Sequence, residues 1–120
     1  MQQGYKDLLV WQKSMDLVKI IYRITDQLAY QEKFVLLPQM LRSAISIPSN
    51  IAEGWSRNRN LEFLRFLEIA YASSCELETQ ILISKWRYHQ VDYSQLDSCL
   101  PEVQKMLFGL IRSKKVNGTK

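Results

Sequence analysis

The chain has 120 residues, 47% hydrophobic and 23% charged, which is enough for one packed domain and too apolar for global disorder. Its net charge of +4 permits contact with polyanions without demanding it. No apolar run approaches the ~20 residues that span a bilayer, and Lys6 and Asp7 interrupt any leader-like stretch. A soluble cytoplasmic protein with no membrane partner is the expectation.

Only four glycines and three prolines occur, and no alternating pattern runs for more than a few residues. The chain reads as long helices with short links. The first helix is expected over 7–28, with Leu17, Ile20, Ile21, Ile24 and Leu28 at helical spacing. Trp11, Met15, Val18 and Tyr22 form a second apolar row beside them. The second helix is expected over 38–57, with Pro38 suited to its first turn. Gly54 and "SRNRN" are expected to end it. The third is expected over 60–87, capped by Asn60, with Phe63, Leu67, Ala70, Leu77 and Ile81 on its main face. Phe66, Ile69 and Ile83 lie off that face. "YHQVDYS" reads as a polar connection.

The fourth helix is expected over 94–113, capped by Ser94, with Leu96, Leu100, Val103, Leu107 and Leu110 in one stripe. Pro101 should kink it or split off a lead-in turn. Residues 114–120 read as a basic, frayed tail. A single domain over 1–120 results: an all-α, antiparallel up-down-up-down four-helix bundle. The first and third helices carry more apolar surface than one seam needs. That predicts association of copies, against the alternative of irregular crossings within one subunit.

The stretch "SAISIPSNIAEGW", Ser43 to Trp55, has helical spacing around an internal proline. At ~100° per residue its apolar rows turn one way, and Arg42, Ser46, Asn50, Glu53 and Arg57 turn the other. Pro48 removes a hydrogen bond to the Ala44 carbonyl, should bend the helix, and costs roughly 3 kcal/mol in a helix interior. The plainer reading of the polar stripe is a structural network of Arg42, Ser46, Asn50, Glu53 and Glu76 that fixes helix register. The alternative is a ligand or nucleic-acid surface.

Catalytic chemistry has little support. A di-iron bundle needs two Glu-x-x-His pairs, whereas the one histidine, His89, has Trp86 three residues before it. Glycine-rich phosphate loops are absent. Cys75 and Cys99 are expected to be buried free thiols. Glu53 and Glu76 could pair, but network carboxylates are commoner than catalytic ones. A non-enzyme with no cofactor and no metal is expected.

Three blocks carry a resemblance: "DLLVWQKSMDLVKIIYRIT", "QMLRSAISIPSNIAEGWSR" and "FLRFLEIAYASSCELETQI". Over about Asp7 to Ser113 the chain resembles the four-helix-bundle family named for proteins encoded in intervening sequences of bacterial 23S rRNA genes. The run from Ser46 to Gly54 is its most specific part, and Ser73-Ser74 followed by Glu76-Leu77-Glu78 is the next. Val35 departs from a usual glycine, Leu37 from a capping Thr or Ser, and Leu41 from a common basic residue.

The resemblance implies a left-handed bundle assembled as a ring-shaped homopentamer. It also points to the related accessory variability proteins of diversity-generating retroelements, which work with a reverse transcriptase and its template RNA. The function expected is a homo-oligomeric adaptor for structured RNA or for a nucleic-acid-handling protein such as that reverse transcriptase. The alternative is a protein-interaction module without nucleic acid. The phosphate contacts expected are Arg57, Arg59, Arg65, Lys85, Arg87, Arg112, Lys114 and Lys115. For any one of them the plainer reading is a solvated surface charge. There is no aromatic–basic RNA-binding signature, so sequence-specific readout of single strands is not expected.

Overall fold

The helical periodicity folds into α1 (Leu9–Thr25), α2 (Leu36–Ser56), α3 (Asn60–Arg87) and α4 (Ser94–Gly118). The structure is a computed structural model describing residues 4–118, the side chains of residues 117 and 118 excepted. Short 3-10 turns at Tyr5–Asp7 and Tyr30–Phe34 precede α1 and α2. Among the described residues there is no strand.

Each helix packs on its neighbour in sequence, and α4 closes back onto α1. Contacts between helix ends fix the directions. The end of α4 meets the start of α3, with Lys115 3.7 Å from Glu68. The end of α3 meets the start of α4 through Lys85 and Asp97. The end of α1 reaches the same end, where Arg23 donates to Gln95. Consecutive helices therefore run antiparallel. Leu17, Ile21, Met40, Ile47, Ile51, Leu67, Leu77, Val103 and Leu107 are fully enclosed between them. Their removal from water is the main stabilising term, roughly 1.5–3 kcal/mol for each large side chain.

Several boundaries differ from the sequence expectation. α1 covers 9–25 rather than 7–28, because Leu8 is extended and separates the Tyr5–Asp7 turn from the helix. After Thr25 the chain tightens: Gln27 and Leu28 bond three residues back, to Ile24 and Thr25. α2 begins at Leu36, which puts Pro38 third in the first turn, where no N–H is needed. Asn60 is the first helical residue of α3, and the cap is the extended Arg59, without a side-chain bond. Ser94 likewise lies inside α4; the Asp92 carboxylate accepts its N–H at 2.9 Å.

α2 and α4 run unbroken through Pro48 and Pro101. Just after Pro48, two side chains add bonds to the next carbonyls: Ser49 donates to that of Ile45 at 2.8 Å and Asn50 to that of Ser46 at 2.7 Å. The expected frayed tail is helical as far as residue 118; residues 119 and 120 lie outside the described ones. "YHQVDYS" is not a polar link, since Tyr88, Val91 and Tyr93 are buried in it. Of the two cysteines only Cys99 is buried, and Cys75 is exposed.

Candidate nucleic-acid interface

The α2–α3 joint is built by one asparagine. Asn58 takes a left-handed backbone, φ 58°, and ends α2 while Arg57 and Asn58 N–H groups still reach the Gly54 and Trp55 carbonyls at 3.2 Å. The turn leaves Arg57 and Arg59 on either side of it. Arg57 folds back along α2, 3.0 Å from Glu53, with its guanidinium 5.3 Å from the Phe66 ring centre. Arg59 is 80% exposed, and its contact with Glu62 is a loose 3.9 Å.

α4 returns to this joint. Its Lys114 ammonium lies 5.6 Å from the Phe63 ring centre, and Phe63 meets Trp55 edge to face at 5.7 Å. Lys115 is 3.7 Å from Glu68. Arg65 and Arg112 are exposed and have no ion-pair partner among the described residues. Six of the eight candidate cations thus belong to one end of the bundle. Trp55, Asn58, Arg59, Asn60, Phe63 and Lys114 line an open cleft of about 410 Å³ there. The ion pairs at this end are exposed ones, worth ~0–1 kcal/mol each, so a phosphate can replace their carboxylates at little cost.

Lys85 and Arg87 lie at the opposite end; α3, 28 residues long, separates the two sites by about 40 Å. Both are engaged. Lys85 bonds Asp97 at 2.5 Å. Arg87 sits 3.0 Å from the buried Glu32 and donates to the Tyr88 hydroxyl at 3.2 Å. The Tyr88 hydroxyl donates to Glu32 at 2.6 Å, and that bond, with burial, pushes the phenol above its ordinary pKa. Ser84 and Tyr93 share a bond of 2.8 Å beside it. Glu32 carries no local signal of its role, because Tyr88 is 56 residues away in sequence.

The polar stripe on α2 divides. Asn50 donates to the Ser46 hydroxyl at 2.9 Å, and Ser46 and Ser73 share a bond of 2.8 Å. Ser43 adds a bond to Gln80 at 2.9 Å. These bonds stitch α2 to α3. Arg42 and Glu76 do not join them: both are exposed and without a bonded partner among the described residues. Glu53 turns outward to Arg57 instead. The expected five-residue network is therefore two of those residues plus Ser73, with Ser43 and Gln80 as a second link that the spacing on α2 alone did not reveal.

Several large apolar side chains remain open to solvent. Leu82, Trp86, Tyr30 and Phe34 are 60%, 79%, 75% and 74% exposed. Tyr5, Trp11, Met15, Val18, Tyr22 and Ile45 line a groove of about 340 Å³ between α1 and α2. His89 is exposed, burial raises the Cys99 thiol pKa, and no cluster able to hold a metal occurs among the described residues.

Residues 6–109 match the family model of the 23S rRNA-intervening sequence proteins. The chain belongs to this family. The match ends before Arg112, Lys114 and Lys115, so the α4 part of the basic end lies beyond the matched family segment. A crystal structure of a protein of unknown function from the S23 ribosomal protein family, from Bacteroides thetaiotaomicron, shares the fold with a TM-score of 0.77 and 26% identity. The match covers 86% of this chain and 98% of that one. No curated protein sequence matches. No helix among the described residues is long and apolar enough to cross a membrane.

Proposed function

We propose that the protein is a non-enzymatic, homo-oligomeric cytoplasmic adaptor that binds structured RNA through the basic end of its bundle. The observation that carries this reading is the gathering of Arg57, Arg59, Arg65, Arg112, Lys114 and Lys115 from three helices at one end, three of them without a carboxylate partner among the described residues. Lys85 and Arg87 are removed from the phosphate surface and hold the far end together. Family membership supports an RNA-linked setting. The exposed apolar side chains support self-association, and the assembly proposed is the ring-shaped homopentamer that the family resemblance implies. A retroelement reverse transcriptase is the protein partner this reading admits.

The test is binding of the full chain to a structured RNA at rising salt. The logarithm of the affinity falls linearly with that of salt, with a slope of ~0.7–0.9 per neutralised phosphate. No binding at low salt, or a flat response, refutes the reading. The second reading is a protein-interaction module without nucleic acid, favoured by Trp86, Tyr30 and Phe34 standing open to solvent.

A further inference from the structure

We propose that the cleft between the α2–α3 joint and the end of α4 receives one unpaired nucleotide of a folded RNA, its base against Trp55 and its phosphate between Arg59 and Lys114. The proposal rests on the RNA-binding reading and adds which part of an RNA is gripped.

The cleft, about 410 Å³, falls within the ~300–1,000 Å³ of small-ligand sites. Its lining combines the chemistries a nucleotide presents. Trp55 and Phe63 offer aromatic surface, Arg59 and Lys114 offer cations, and Asn58 and Asn60 carry amides able to donate to and accept from a base edge. No carboxylate lines it. Two other cavities lack the combination: the cleft between α1 and α4 has cations and no ring, and the groove between α1 and α2 has rings and no cation.

Two further features favour a phosphate. Lys114 lies over Phe63 and has no carboxylate partner among the described residues, so its charge is available. α3 starts at the cleft without a side-chain cap, which leaves its first-turn N–H groups without a capping acceptor, and Glu62 is the acid in that turn. In a paired stem the base faces are covered by stacking, so only an extruded nucleotide can offer a face to Trp55. The sequence alone hid this arrangement, because its rings and cations come from three helices and meet only in the fold.

The experiment compares two RNA hairpins that are identical except for a single-nucleotide bulge in one. Both are titrated with the full chain by fluorescence anisotropy. The bulged hairpin should bind about tenfold tighter, the gain of one base–aromatic stack. In Trp55→Ala the two hairpins should bind alike. Trp55 also packs on Phe63, so the exposed Arg59→Gln supplies a second variant that leaves the core untouched; it should weaken the bulged complex more than the paired one. Equal affinity of the unmutated chain for both hairpins overturns the nucleotide site and leaves RNA binding standing. Absence of binding to either at low salt overturns both.

Discussion

Gly54 and Phe66 stand so close that a β-carbon on Gly54 would lie 2.5 Å from the β-carbon of Phe66. That neighbour is fixed to the α3 backbone and cannot swing aside. Gly54 therefore marks where α2 and α3 make their close approach; α2 itself runs on to Ser56. In an open helix Gly→Ala would stabilise by ~1 kcal/mol. Here overpacking, worth ~1–3 kcal/mol, should win. Gly54→Ala should lower the urea midpoint, and an unchanged or higher midpoint would show that the helices can part without cost.

The clasp of Tyr88, Glu32 and Arg87 predicts an alkaline weakness. The folded phenol has a raised pKa, so above the unfolded value near 10 the folded state holds a proton that the unfolded chain has lost. Stability from this group is complete below that pH and falls as pH rises through the folded pKa. Melting temperatures across pH 8 to 11 should drop more for the unmutated protein than for Tyr88→Phe. Parallel curves for the two would count against the clasp.

The Asn50–Ser46–Ser73 link should behave as a unit. Asn50→Ala withdraws a donor from both the carbonyl and the hydroxyl of Ser46, beside the gap left by Pro48. A loss of about 1 kcal/mol is expected. Ser46→Ala and Ser73→Ala should combine to less than the sum of their separate effects. Full additivity in chemical denaturation would mean the two hydroxyls do not cooperate.

Charge reversal should distinguish the two ends. Replacing Arg59 and Arg112 by glutamate should weaken RNA binding and lower the salt slope, while leaving the melting temperature nearly unchanged, since neither side chain is buried. Arg87→Glu should do the reverse, because it faces the buried Glu32 with a like charge. An equal fall in RNA affinity from both sets would remove the claim that binding is confined to one end.

Trp86, 79% exposed on α3, should act on assembly and not on the fold. Trp86→Glu is expected to leave helicity intact and shift the light-scattering mass toward the 14.1 kDa of one chain. If the unmutated protein already has that mass, the open apolar side chains are not a contact between copies.

The helices were legible in sequence because their apolar spacing is local: Leu17 and Ile21, Ile47 and Ile51, or Val103 and Leu107 announce one buried side within four residues. What escaped depends on distant partners. Glu32 reads as an ordinary surface acid until the fold brings Tyr88 to it. Val91 and Tyr93 look like link residues until the end of the bundle closes over them. The cations of the candidate site could be picked by type, but only antiparallel packing sorts Arg59 and Lys114 from Lys85 and Arg87. The ring beneath Lys114 and beside Trp55 is a single one, Phe63, on a third helix, and left no motif in sequence.

The sorting of charge between the two ends gives each subunit a direction. Rotation about a ring axis preserves that direction, so copies joined in a closed circle with their bundles along the axis would all turn Arg59 and Arg112 to one rim. Such an assembly would have a cationic side and a neutralised side. A long polyanion would meet it as one broad landing surface, multiplying weak contacts into avidity.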